Sequence, residues 1–365
     1  MTDQVNFAIV GCGRISDLHA KAYLKNPNAN LAAICDIDEH KADEKGHDWG
    51  VPAKMVFQSV DAMLKKESID AVDLLLPHHL HAKMTEKAAK AGKHVSVQKP
   101  MALNLTECQH MIDVCAEAGV KLRVFENFQF YPPYMKAKEL LDEGVIGRPS
   151  FIHIKLCSSM SGGWNVPLDA WEWRFDDERC GGGPLVWDDG YHKFSIANYF
   201  LGEIEKVKAW IDCTGVFEDE QEPPTVLDAP AAIMWKYKKP RCYGSMDVTY
   251  SRKGNFDSDY YAADERVEIT GEKGYIWINQ CTAHSVKDEP AIMTFVQGDL
   301  HSYPDVEADW QRSFDNAVDQ FVEAILEDET PSLTGEEGMY IQRFAHAAHF
   351  SAQKGKEINL EDVEC

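Results

Sequence analysis

The sequence predicts an α/β protein whose first third is a doubly wound parallel sheet. Three observations carry that prediction: apolar runs of strand length alternate with helical stretches from Asn6 onward, a glycine turn joins the first run to the first helix, and 365 residues suffice for two packed domains. NFAIV is the first strand, and Gly11-Cys12-Gly13-Arg14-Ile15-Ser16 is the turn, of GxGxx(G/S) type. DLHAKAYLKN continues as a helix, and LAAIC is the second strand. Strand, helix and strand at this spacing form a βαβ unit with parallel strands. KMVFQ, SVDAMLKKES, AVDLLLP, HLHAKMTEKAAKAG and HVSVQKP continue the alternation, and LTECQHMIDVCAEAG and KLRVFEN add one more helix and strand.

A glycine turn needs no ligand by itself; its surroundings discriminate. This one follows a strand, opens a helix, and precedes a second strand that ends at Asp36, 20 residues beyond Ser16. That is the Rossmann dinucleotide arrangement. Gly11 and Gly13 let the backbone approach a pyrophosphate, the helix N-terminus offers amide donors, and the Asp36 carboxylate takes ribose hydroxyls. Asp36 repels a 2′-phosphate and Ile37-Asp38-Glu39 contains no arginine to hold one, so NAD is expected over NADP. Counting strands places PHH and QKP on the same sheet edge as the glycine turn. The expected cofactor set is therefore Gly11, Gly13, Arg14, Ile15, Asp36, Pro77, His78, His81, Gln98 and Lys99.

Composition narrows the partners. Sixty acidic residues against 37 basic ones give a formal net charge of −23, which argues against gripping nucleic-acid phosphates. No apolar run approaches the ~18 residues that suggest a membrane span, and the N-terminus lacks a basic region followed by an apolar core. Ten scattered cysteines without a CxxC pair point to reduced thiols and a cytoplasmic location. No acidic or thiol ligand stands at metal-binding spacing around His78, His79 and His81, so no metal is expected.

GCGRIS, DLLLPHHLHAK, AGKHVSVQKP, EGVIGRP, GGGPLVWDDGYH and TGEEG occur in the order that resembles the glucose–fructose oxidoreductase, inositol dehydrogenase and rhizopine-catabolism (Gfo/Idh/MocA) family. The resemblance spans nearly the whole chain. It implies an N-terminal Rossmann domain (1–124) and a C-terminal α+β domain (125–365) for substrate binding and oligomerisation, built on a large open, mainly antiparallel sheet. It also implies a homo-oligomer: a dimer, a tetramer or a higher assembly.

The family motif E-K-P stands here as Gln98-Lys99-Pro100, and D-x-G-x-H as Asp188, Gly190 and His192. The resemblance makes Lys99, Asp188 and His192 catalytic. A histidine suits the general base for a secondary alcohol, a lysine stabilises the forming alkoxide, and an aspartate orients the histidine or a neighbouring hydroxyl. The substrate set is Asn127, Gln129, Trp164, Trp173, Arg174, Asp188 and His192. Gln98 in place of the usual glutamate removes a negative charge from beside Lys99. Gln129 stands where many relatives have arginine, which argues against a substrate held by carboxylate pairing. The tryptophans of segment 158–180 are either core or a stacking wall for a sugar ring. The expected activity is NAD-dependent oxidation of a ring hydroxyl of a neutral sugar, with a mild tilt to the 3-hydroxyl of a glycoside. The alternatives are a cyclitol or free-aldose dehydrogenase, an NAD-dependent glycoside hydrolase with no net redox, and a non-catalytic NAD- and sugar-binding regulator.

Overall fold

In the computed structural model, residues 4–364 are described apart from 165, 167, 217–224, 284, 285, 287 and the side chains of 168 and 169. The N-terminal part alternates β1 (Val5–Val10), α1 (Ser16–Lys25), β2 (Ala29–Cys35), α2 (Glu39–Asp48), β3 (Val56–Phe57), α3 (Val60–Met63), β4 (Ala71–Leu74), α4 (His81–Lys90), β5 (His94–Gln98), α5 (Leu105–Ala118) and β6 (Leu122–Phe125). The six strands are parallel in the order β3-β2-β1-β4-β5-β6. All four residues of β4 and of β6 are buried. Strands covered on both faces carry near-continuous apolar runs instead of alternation, here interrupted by the buried Asp73 and Arg123. The strand order reverses between β1 and β4, which is where open α/β sheets leave a ligand crevice. The helix read from SVDAMLKKES is shorter than expected, because only Val60–Met63 keeps helical geometry before the Lys65-Lys66 turn.

The rest of the chain adds α6 (Pro132–Asp142), β7 (Pro149–Ser158), the short helices α7 (Leu168–Trp171) and α8 (Asp177–Cys180), and α9 (Gly190–Leu201). Next come β8 (Ile204–Ile211), a small ribbon of β9 (Thr214–Gly215) and β10 (Val226–Leu227), β11 (Ala231–Tyr237), β12 (Tyr243–Tyr250), β13 (Ala263–Gly271), β14 (Gly274–Ile278), β15 (Ile292–Val296) and β16 (Asp299–Ser302). The chain closes with α10 (Gln311–Leu326), α11 (Gly335–Lys354) and β17 (Ile358–Asn359). Nine of these strands form one open sheet in the order β16-β15-β14-β13-β7-β12-β11-β8-β17. The β7–β12 pair is parallel and the other pairs are antiparallel.

This sheet does alternate. Ile233 and Trp235 of β11 are buried while Ala232 and Met234 are exposed. Helices α9 and α11 cover the buried face, and α10 and α11 reach back to pack on α1, α5 and β6 of the first sheet. The Thr334 side chain and the Glu337 carboxylate cap α11 reciprocally, which accounts for the TGEEG stretch. Among the described residues no helix is long and apolar enough to cross a membrane.

Candidate active site

The glycine turn leaves β1 at Gly11, whose φ of 98° lies in the region that excludes side chains. A Cβ there would stand 2.2 Å from the Leu75 carbonyl oxygen at the end of β4, so the turn lies flat on the crevice floor. A Cβ at Gly13 would meet nothing within 4 Å. Ile15 starts α1 without a side-chain cap. Asp36 follows β2 and ties the turn down: its Oδ2 accepts from the Cys12 amide at 2.7 Å and its Oδ1 from the Asp38 amide at 2.9 Å. Ile37 beside it is 93% exposed, an apolar surface open to a flat ring. An open glycine cradle, an uncapped helix start and a half-buried carboxylate fit the pyrophosphate and ribose of a dinucleotide. Arg14 lies over the Trp164 ring, 4.5 Å from its centroid, so the tryptophan-rich segment arches across this turn.

At the end of β5, Lys99 precedes a cis peptide bond to Pro100 and is 13% exposed at its side chain. Its Nζ donates to the Asp188 carbonyl at 2.7 Å and to Asp188 Oδ1 at 2.8 Å. Asp188 comes from the second part of the chain, on a π-helical turn over Pro184–Asp189 that runs into α9. Asp228 builds that turn by accepting the amides of Leu185 at 2.7 Å, Val186 at 2.7 Å and Trp187 at 3.1 Å. Gly183 permits the approach, since a Cβ there would lie 2.1 Å from the Asp228 Cγ. The GGGPLVWDD run is therefore a scaffold that aims Asp188.

Asp188 Oδ2 also accepts from Arg174 Nε, and the His78 Nε2 stands 3.6 Å from Oδ1. Burial pushes this carboxyl up, but Lys99, Arg174 and His78 outweigh burial and hold it well below the usual carboxylate range. His192, one turn into α9, makes its Nδ1 contact with Glu126 Oε1 at 2.7 Å, and its ring stacks on Phe128 at 4.0 Å. Burial, then Lys99 and Lys193, drive the imidazole well below its ordinary pKa, so the ring is neutral at pH 7. Lys99, Asp188 and His192 thus meet at one sheet edge. Of the two roles expected for Asp188, orienting the histidine is corrected: Glu126 holds the ring.

Other expected site residues are placed differently. Both His81 ring nitrogens face backbone carbonyls, Leu76 at 2.8 Å on one side and Pro100 and Met101 at 3.0 and 3.2 Å on the other. The ring is fully buried and braces the QKP turn, which removes it from the cofactor set. Pro77 starts the 3₁₀ turn that carries His78. The His78 ring is held by the Cys180 carbonyl at 2.7 Å, with Asp188 at its other nitrogen. Asn127 is 2% exposed and donates to Ser313 Oγ at 2.7 Å, so burial takes it out of the substrate set. Gln129 donates to Ser195 Oγ at 2.8 Å, behind His192.

Trp173 packs edge-on against His78 at 4.8 Å, with the Arg174 guanidinium 4.3 Å above its ring. Trp164 packs against Tyr260 and Tyr261, which in turn pack on Trp310. Tyr261 is 40% exposed and close enough to Arg174, Asp188 and Arg14 for their charges to act on its hydroxyl. Glu126 and Tyr261 are the site residues that sequence reasoning missed. Among the described residues no cluster of three or more histidine, cysteine or acidic groups is placed to hold a metal.

Gln98 is engaged with the protein on both ends: its Oε1 accepts the Lys99 amide at 2.9 Å and its Nε2 donates to His19 Nε2 at 3.0 Å. The latter contact fixes His19 as the Nδ1–H tautomer, which donates to Asp73 at 2.7 Å. His19 and Asp73 are both fully buried. Gln98 is thus bonded to a buried histidine as well as to the Lys99 amide. Gln98→Glu forces either a second proton onto His19 or a retained proton on the new carboxyl. In both cases folding of the variant takes up to one proton more than folding of the parent does once pH exceeds the ordinary glutamate value. Its stability relative to the parent is expected to fall from pH 5 to 8 by up to about 1.4 kcal/mol per unit. Urea melts across that range measure this; a pH-independent difference rules out the matched pair.

Residues 5–126 match the family described as oxidoreductase family, NAD-binding Rossmann fold, and residues 138–360 match its C-terminal alpha/beta domain. The chain is 27% identical to myo-inositol 2-dehydrogenase of Thermotoga maritima over 98% of its own length and 99% of that protein. A solved levoglucosan dehydrogenase, in complex with NADH and levoglucosan, superposes with a TM-score of 0.80 at 23% identity, covering 98% of this chain and 99% of that one. An aldose-aldose oxidoreductase from Caulobacter crescentus, complexed with glycerol, gives 0.80 at 22% identity over the same shares. Matched through both halves, and carrying its glycine turn on the crevice where its two parts meet, this chain belongs to the Gfo/Idh/MocA oxidoreductase family.

Proposed function

We propose that the protein is an NAD-dependent dehydrogenase that oxidises a secondary ring hydroxyl of a neutral sugar, the 3-hydroxyl of a glycoside giving a 3-keto glycoside. The observation that carries this reading is the meeting of Lys99, Asp188 and a neutral His192 beside the glycine turn. Bound NAD supplies the hydride acceptor. His192 Nε2 takes the hydroxyl proton, since Nδ1 is committed to Glu126. The Lys99 ammonium stabilises the developing alkoxide, and Asp188 holds that ammonium in place. In this reading residues 1–124 bind the dinucleotide and 125–365 bind substrate and carry oligomerisation.

A neutral substrate is supported by the site's charges, because Arg174 and Lys99 already share Asp188. The relatives named above also act on or bind polyhydroxylated rings and glycerol. The glycoside preference rests on two aromatic flanks, Trp173 on one side and Trp164 with Tyr261 on the other, which offer stacking surface beyond one ring.

Homo-oligomerisation is supported by the helix-free face of the large sheet, where Trp210, Met234, Tyr243, Tyr275 and Leu300 are each at least 37% exposed. No disulfide joins the cysteines among the described residues, which supports a cytoplasmic location. The test is incubation with NAD and a panel of glucosides, cyclitols and free aldoses, read by NADH absorbance and by mass for loss of two hydrogens. Reaction of cyclitols alone overturns the glycoside preference. Free sugar released without NADH accumulation replaces the dehydrogenase by a hydrolase.

A further inference from the structure

Glu126 sits where β6 ends, 1% exposed, and its position is over-determined. Its Oε1 accepts the Phe128 amide at 2.8 Å as well as the His192 Nδ1 contact at 2.7 Å. The Phe128 ring meanwhile lies on the face of the imidazole, inclined by 18°. The histidine is thereby fixed at one edge and one face, and Nε2 is the nitrogen left to meet a substrate. A structural histidine needs no carboxylate for this. His81 at the same sheet edge is braced by backbone carbonyls alone, without the cost of a buried acid.

The charges around the pair explain what the acid is for. Lys99 faces it from the end of β5; Lys193, Ser195 and Tyr191 face it from α9; Asp188 lies beyond the imidazole. Lys193 is itself 1% exposed and is paired with Glu265 and, at 3.3 Å, with Asp189. An imidazolium at 192 would be a further buried cation beside two lysines. We infer that Glu126 acts through His192, fixing its Nδ1–H tautomer and taking that proton as Nε2 receives the one released by the substrate hydroxyl. The pair then gains one proton in total: the O–H bond breaks, an Nε2–H bond forms, and the Nδ1 proton moves to Glu126 Oε1. The proton leaves by the reverse path once product has gone.

The electrostatics agree with that direction. Burial raises the Glu126 carboxyl to about 7, against the pull of the Phe128 amide, the Ser195 hydroxyl and the two lysines. Burial and the same lysines lower His192. Although Ser195 is near enough to pull, Glu126 Oε2 has no hydrogen bond of good geometry, which leaves that oxygen free of any fixed donor. The carboxylate is therefore the better holder of the added proton.

The inference rests on the dehydrogenase reading, and its test has one arm that does not. In ¹⁵N-histidine NMR of the substrate-free protein, His192 is expected to stay neutral from pH 8 to 6, as the Nδ1–H ring at pH 8 and increasingly as the Nε2–H ring at pH 6, with an inflection near 7 that reports Glu126. Glu126→Gln removes the inflection, and Glu126→Asp, the variant more tolerant of folding, restores one. Conversion of His192 to imidazolium near pH 7 in the parent overturns the proposal, whatever the panel finds. In the second arm, on any panel sugar the parent oxidises, kcat/KM falls below about pH 7 because Glu126 must start deprotonated. Glu126→Gln lowers kcat/KM by roughly 10²-fold or more and abolishes that limb. A limb that survives in Glu126→Gln overturns the relay. A parent inert on the whole panel sinks the dehydrogenase reading and leaves the NMR arm to decide.

Discussion

Lys99→Ala is expected to reduce turnover by roughly 10³-fold while the affinity for NAD stays within a few-fold of the parent. In the proposed reaction the Lys99 ammonium stabilises the forming alkoxide, and its two hydrogen bonds go to Asp188. It makes none to the glycine turn. The features that fit the dinucleotide are the Gly11–Gly13 turn, the uncapped start of α1 and the Asp36 carboxylate, and none of them contacts Lys99. Truncation therefore removes transition-state stabilisation and leaves the cradle intact. Steady-state kinetics on an active panel sugar, with calorimetric titration of NAD, separates the two quantities. Equal losses in turnover and in NAD affinity make Lys99 a cofactor clamp instead.

How far the sequence could be read depended on whether a signal was local. The glycine turn, Lys99-Pro100 and the Asp188–His192 pair are short motifs, each set by one turn of chain, and each reaches the predicted sheet edge. Glu126 was not legible, because the residue it serves lies 66 positions away and nothing in FEN marks an acid that will be buried. His81 and Asn127 misled for the converse reason. A histidine or asparagine at the right edge looks like a ligand until its polar atoms are found bonded to Pro100, Leu76 and Ser313.

The π-helical turn at Pro184–Asp189 reads in sequence as an ordinary helix start. It depends on Asp228, about 40 residues downstream, accepting its first amides. Strand β16 gives no signal in the sequence, because all four of its residues are exposed and no alternation survives at a sheet edge. Gln98 stands out in the sequence as a departure from E-K-P, but its contact with His19 is not legible there, since His19 sits in the first helix.

Asp188→Asn keeps the shape of the side chain and removes the charge that Lys99 and Arg174 share. Asparagine can accept from Lys99, but its NH₂ then faces the Arg174 Nε, donor against donor. The expected loss of stability is about 3 kcal/mol, the low end for breaking a buried ion pair, because the Arg174 side chain keeps 30% exposure and solvent screens part of the cost. Turnover is expected to fall by roughly 10²-fold or more, since the Lys99 ammonium loses its anchor.

The pH dependence gives the sharper result. The folded-state pKa of Asp188 is depressed, so the stability it contributes is complete above the unfolded value of about 3.9 and is lost as pH falls through the lower folded value. The gap between parent and Asp188→Asn in urea melts should therefore be constant from pH 8 to 5 and close only below about pH 4. A gap that already narrows between pH 7 and 5 means that Lys99 and Arg174 do not hold the carboxylate as an anion. In that case Asp188 can no longer serve as the anchor of the catalytic lysine.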